Sequence, residues 1–241
     1  MTPSGLRYDR YRVNGHDEWL MRVGQENGVP VLLVPPLFEE MNRTRALLAS
    51  VMRALARSGF RCTLPDLPGT GESERALETC GWADWQEAVR AADRPALVAS
   101  FRGGALLDGV DAQAWWRFAP ASGASLLRDL ERSDSQLRLS RAKSRGAGTE
   151  SSGAPLGLAR DERRWFAGYG MAQSLTSDLR EAEPPQFTPC RAVRLTSDPK
   201  PADQKLDGAA LWRRSEPAGS PELANAIASD IAAWVRQCGI C

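Results

Sequence analysis

The spacing of apolar and polar residues changes several times along the first 120 positions, and each change predicts an element. Residues 6–13 and 17–23 alternate, as half-buried strands do, and Asn14-Gly15 between them is a hairpin-turn signal. Val29–Val34 is a continuous apolar run, expected of a strand buried on both faces, and Pro35-Pro36 ends it. Over residues 40–58, Met41, Leu47, Leu48, Val51, Met52 and Leu55 form a helical stripe that Gly59 stops. Phe60–Leu64 reads as the next strand, Pro65–Gly71 as a loop, Trp82–Ala92 as a helix and Pro95–Ser100 as a strand. Gly103–Gly109 is expected to begin a helix, and Gln113–Phe118 to form another strand.

The pattern then breaks. Residues 121–186 are mixed and largely polar, and Ser140–Pro155 is so rich in Ser, Gly, Lys and Arg that a mobile loop is expected there. Regularity returns with Arg191–Thr196 and Gly208–Arg213 as strands. Pro221–Val235 closes the chain as an amphipathic helix on Leu223, Ile227, Ile231 and Trp234. Strands alternating with helices predict an α/β fold: a mostly parallel sheet with helices on both faces. We expect one domain over residues 1–241, with 121–186 as a lid-like insertion.

Composition narrows the function classes. A hydrophobic fraction of 42% and eight Trp are enough for a real core. A net charge of +1 gives no footprint for nucleic acid or an anionic membrane. No apolar stretch approaches the ~20 residues that span a bilayer, and the first ten residues lack the apolar centre of a signal peptide. The five cysteines (62, 80, 190, 238 and 241) lack metal-ligand spacing. Cys238 and Cys241 form one C-x-x-C with no second pair, so reduced cytoplasmic thiols are expected, and no metal or cofactor.

The chemistry centres on residues 96–104, Ala-Leu-Val-Ala-Ser-Phe-Arg-Gly-Gly. An apolar strand ends at a tight glycine-bearing turn, the layout of the G-x-S-x-G nucleophile elbow that exposes its middle residue. The middle residue here is Arg102. A guanidinium stays protonated at physiological pH and cannot attack a carbonyl. The one histidine, His16, lies in a turn before the first core strand, whereas a Ser–acid–His triad needs its imidazole last in chain order.

Several segments together resemble one family. Leu33-Val34-Pro35-Pro36-Leu37-Phe38-Glu39-Glu40-Met41-Asn42-Arg43-Thr44-Arg45 is the most distinctive. Asp66-Leu67-Pro68-Gly69-Thr70-Gly71-Glu72-Ser73, Ser100-Phe101-Arg102-Gly103-Gly104, Trp116-Arg117-Phe118-Ala119-Pro120 and Ala167-Gly168-Tyr169-Gly170 follow. The series is similar to the α/β-hydrolase-fold proteins associated with the exosortase A system, the second of the two hydrolase types named there. The likeness is dense over 29–120 and patchy from 160 onward. It implies an α/β-hydrolase-like fold and a cytoplasmic protein linked to exopolysaccharide production and surface-protein sorting. Members also carry Arg at the elbow, typically within Gly-Leu-Arg; Ser100 here replaces that first Gly.

The candidate ligand-binding residues are Arg102, Phe38, Asn42, Arg43 and Trp212. At the sheet's C-terminal edge Arg102 suits a carboxylate, phosphate or acyl compound, or a structural ion pair that fills the corner. The candidate catalytic residues are Glu39, Glu40 and Asp198. Two carboxylates in the oxyanion-hole loop would repel a developing oxyanion, but one can pair with Arg102 or activate water. Both also suit a helix N-terminus. Asp198 and Asp203 lie where a triad acid belongs, and Asp198 is a second partner considered for Arg102. Asp66 and Ser73 are expected to do turn chemistry, and Arg45 to be a solvated charge. Three functions stand open: an accessory protein that binds an anionic or acyl small molecule at Arg102, a hydrolase that activates water with Glu39 or Glu40, and a scaffold that binds a protein partner through 121–186.

Overall fold

A computed structural model of the chain describes residues 5–144, 163–166, 168–214, 216–217 and 219–240. Eight strands form one sheet. They are β1 (Arg7–Val13), β2 (His16–Val23), β3 (Val29–Val34), β4 (Phe60–Pro65), β5 (Leu97–Phe101), β6 (Ala114–Phe118), β9 (Cys190–Leu195) and β10 (Gln204–Leu206). A separate hairpin pairs β7 (Arg163–Phe166) with β8 (Tyr169–Ala172). The order across the main sheet is β1-β2-β4-β3-β5-β6-β9-β10. The β1–β2 hairpin is antiparallel, as is β2 against β4, and every other neighbour is parallel.

Period-two alternation in the buried strands sends side chains to two cores. Val31 and Leu33 of β3, with Leu97, Ala99 and Phe101 of β5, meet α1 (Glu39–Arg57) and α5 (Pro221–Gln237) on one face. Leu32, Val34 and Val98 meet α2 (Trp82–Ala92), α3 (Gly123–Ser144) and α4 (Gln173–Glu181) on the other. The mostly parallel sheet with helices on both faces is the expected architecture. His16 opens β2 opposite Val13, exposed on the antiparallel edge.

Three local expectations are corrected. The helix expected from Gly103 is only a 3₁₀ turn, Arg102–Leu106. The chain leaves it because the Asp108 carboxylate is drawn inward, accepting hydrogen bonds from Ser100 Oγ at 2.8 Å and from Arg117. The strand expected at Gly208–Arg213 is instead a 3₁₀ turn over Leu211–Arg213, preceded by the short β10. Leu211 and Trp212 turn into the α1–α5 core, which a strand continuing along the sheet edge would not allow. Arg45 is not a solvated charge: it meets Asp66 at 2.6 and 3.2 Å. Asp66 and Ser73 do hold their own loop, accepting from Glu72 N and Gly69 N.

Between β6 and β9, the described residues of 121–186 form α3, the β7–β8 hairpin and α4. Of the expected mobile stretch 140–155, the first residues continue α3 to Ser144, and the rest lie outside the described residues. No helix among the described residues is long and apolar enough to cross a membrane.

Candidate functional site

The site begins where β5 ends. Arg102 adopts φ 53°, the left-handed region that non-glycine residues rarely occupy. Its neighbours show why the turn is so tight. A Cβ at Gly104 would lie 2.5 Å from the carbonyl oxygens of Val34 and Pro35, so the turn runs directly against β3. Strain of this kind costs roughly 1–3 kcal/mol per residue and persists where the surroundings enforce it. The Ser100 side chain points back into the sheet, fully buried, and its bond to Asp108 helps to satisfy a carboxylate that burial pushes above its ordinary range. Arg117, from the apolar strand β6, supplies the charge, donating from Nε and Nη2 to Asp108 at 2.8 and 2.9 Å.

The Arg102 side chain lies across the corner. Nε contacts both carboxylate oxygens of Glu40 at 3.1 and 3.2 Å, and Nη2 donates to Oε1 at 2.9 Å. Nη1 donates to the Ala119 carbonyl at the end of β6, 3.1 Å away. The guanidinium carbon sits 4.9 Å from the Trp212 ring centroid, within cation–π range. Only two of the five guanidinium N–H groups are left without these partners. Arg102 and Glu40 side chains are 11% and 14% exposed, so the pair is largely withdrawn from water. Burial pushes the Glu40 carboxyl above the usual range, and the facing Arg102 charge opposes that rise.

Glu40 and Glu39 differ because they open the same helix on different sides. Both stand in the first turn of α1, where the macrodipole favours acids. Glu39 faces outward, its side chain 43% exposed. It accepts a hydrogen bond from the Tyr169 hydroxyl at 3.1 Å, meets Arg43 Nε at 3.5 Å and lies 3.5 Å from Asn42 Nδ2. Arg43 also donates from Nη1 to the Trp212 carbonyl at 3.1 Å, fixing the turn that carries the indole. Phe38, at φ 57°, packs edge-on between Trp85 and Tyr169, with ring centroids 5.6 Å from each.

The structure therefore brings Phe38, Glu39, Glu40, Asn42, Arg43, Arg102 and Trp212 to one corner. Asp198 does not join Arg102. It meets Arg194 at 2.8 Å and accepts from Lys200 N at 3.0 Å. Burial acts to raise its carboxyl, but these partners hold it below the ordinary range. Arg194 turns to the adjacent Pro120 carbonyl, so two arginines serve successive carbonyls at the end of β6.

Sequence reasoning missed Tyr169, the Ala119 carbonyl and the Asp108–Arg117 pair as parts of this region. A signal for the last was present: an arginine inside Trp115-Trp116-Arg117-Phe118 requires a buried acid. Among the described residues, no group of His, Cys, Asp and Glu is arranged to hold a metal ion.

No protein-family model matches the chain, and no curated protein matches its sequence. Solved structures do. A protein from Agrobacterium vitis S4, designated a hydrolase, is 16% identical, with a TM-score of 0.52 over 95% of this chain and 98% of that one. Alpha/beta hydrolase domain-containing protein 10 from mouse is 13% identical, with a TM-score of 0.53 over 97% of this chain and 99% of that one. The fold is that of the α/β-hydrolases. An epoxide hydrolase from Vigna radiata aligns only in part, at 17% identity and a TM-score of 0.37, over 47% of this chain and 38% of that protein. At these identities the likeness concerns architecture alone.

Proposed function

We propose that this protein is a hydrolase-fold accessory protein that does not use a Ser-His-Asp mechanism. One observation carries the reading: the elbow position is held by Arg102, which is locked to Glu40. No side chain there can attack a carbonyl, and the chain's one imidazole is on the far antiparallel edge. The resemblance to exosortase A-associated proteins makes exopolysaccharide production and surface-protein sorting the cellular context. An anionic or acyl-bearing small molecule remains the ligand class proposed for Arg102. Such a ligand meets the two remaining N–H groups, or displaces Glu40, whose raised carboxyl is readily neutralised on burial.

Ester turnover is the direct test. With short and long p-nitrophenyl esters we expect rates no higher than buffer for the native chain and for Arg102→Ser, because no imidazole is near to take the serine proton and return it to the leaving group. Saturable turnover by the native chain would overturn the reading.

A second reading has a specific observation behind it. Glu39 stands open to solvent at 43% exposure, whereas Glu40 is largely buried against the Arg102 guanidinium. If a carboxylate here activates water, it is Glu39. Turnover abolished by Glu39→Gln and retained in Glu40→Gln would establish that reading.

A further inference from the structure

On the α2 side of the sheet, away from the Arg102 corner, lies a cavity of about 280 Å³. Leu106, Leu107 and Gly109, which follow the elbow without forming an α-helix, line one side of it. The 3₁₀ turn ends at Leu106, and Asp108 dives inward, leaving space beside α2. Its walls are fixed by one buried guanidinium. Arg117 Nη2 donates to Asp108, next to the rim residue Gly109, and at 2.7 Å to the carbonyl of the opposite wall residue Pro185. Trp115 reinforces both sides, donating from Nε1 to the Asp108 carbonyl and stacking on Phe187 at 4.2 Å. The space is therefore preformed, and its size suits a small molecule.

The lining chemistry is specific. Leu106, Leu107 and the Trp82 ring give an apolar bed. Gln86 and Arg90 continue the Trp82 wall at helical spacing, and Glu183 lines the cavity from the segment after α4. Among the described residues, neither the Gln86 amide nor the Glu183 carboxylate has a hydrogen-bond or ion-pair partner, and Arg90 uses one nitrogen on Glu87. One cation and one anion beside an apolar bed complement a neutral ligand that carries both charges.

We propose that this cavity binds a free apolar α-amino acid, with its carboxylate at Arg90 and Gln86, its ammonium at Glu183, and its side chain on Leu106, Leu107 and Trp82. The assignment is independent of what the Arg102 corner does. The charged groups lie at an exposed rim, so the affinity expected is about millimolar to sub-millimolar.

Titration calorimetry and ligand-observed NMR on the full chain test it, with L-leucine and L-phenylalanine as probes. 4-Methylpentanoate and 3-methylbutylamine, each lacking one charge, are the controls. Gly109→Phe is the blocking variant: a Cβ there meets nothing within 4 Å, so the fold tolerates it while the ring fills the opening. We expect saturable binding of the amino acids, at least tenfold weaker binding of both controls, loss of binding in Gly109→Phe and about tenfold weakening in Glu183→Gln. No binding of either amino acid, equal binding of the single-charge controls, or native-like binding in both variants would each overturn the proposal.

Discussion

Arg102 and Glu40 meet side by side, with three nitrogen–oxygen contacts between 2.9 and 3.2 Å joining the end of β5 to the first turn of α1. In a corner so withdrawn from water, neither charge is tolerable without the other. Glu40→Ala is expected to destabilise by about 3–5 kcal/mol, because it leaves the Arg102 charge uncompensated. The double replacement Arg102→Met with Glu40→Leu should recover most of that loss. Urea denaturation of both single variants and the double variant measures the coupling; single-variant losses below about 1 kcal/mol would show that the pair is merely a surface contact.

The same pair gives a pH signature. In the native chain burial raises the Glu40 carboxyl and Arg102 opposes the rise. Arg102→Met removes the opposition, so the carboxyl rises further. A carboxyl whose folded value exceeds its unfolded value contributes stability that is full below the ordinary carboxylate range. That stability is lost as pH rises through the folded value. The melting temperature of Arg102→Met, relative to native, should therefore be least depressed near pH 4.5 and most depressed near pH 8. A difference constant across that range would contradict the assignment.

Gly103 and Gly104 provide a contrast within one turn. A Cβ at Gly104 would meet backbone oxygens that cannot move, whereas one at Gly103 would meet the tip of Leu126 and the Leu37 side chain. Gly104→Ala should cost about 3 kcal/mol, the upper end of overpacking penalties, and Gly103→Ala about 1 kcal/mol. Equal losses in chemical denaturation would mean that the elbow relaxes as a unit.

Asp108 is expected to be more sensitive than the serine it holds. Asp108→Ala strands the buried Arg117 charge and should cost about 3–5 kcal/mol, while Ser100→Ala removes a single hydrogen bond at about 1–2 kcal/mol. Hydrogen exchange at β5 and β6 would report the same ranking locally. A Ser100→Ala loss as large as that of Asp108→Ala would place the serine at the centre of the network.

The strands of the first 120 residues were legible because burial on two faces leaves an unmistakable apolar signature, as in Val29–Val34 and Leu97–Phe101. The corner was legible for a related reason: Glu39, Glu40 and Arg102 are charges set directly against strand ends. Gly208–Arg213 was misread because an apolar run of that length is common to a strand and to a turn that tucks Leu211 and Trp212 into the core. The missing post-elbow helix was hidden in a long-range fact, the pull of Ser100 and Arg117 on Asp108, which no local spacing reveals. Tyr169 reaches Glu39 from 130 residues away, and nothing around it in sequence marks its partner.

The left-handed backbone at position 102 has a consequence for engineering. Gly104 lies directly against the end of β3, so the turn's path is set by backbone packing next to residue 102. A side chain that tolerates the left-handed region at 102 would be displayed at the same point, facing Glu40 and the Trp212 ring. That makes the position a mount for grafted groups such as a thiol or an imidazole, provided Glu40 is replaced along with the arginine that now balances its charge.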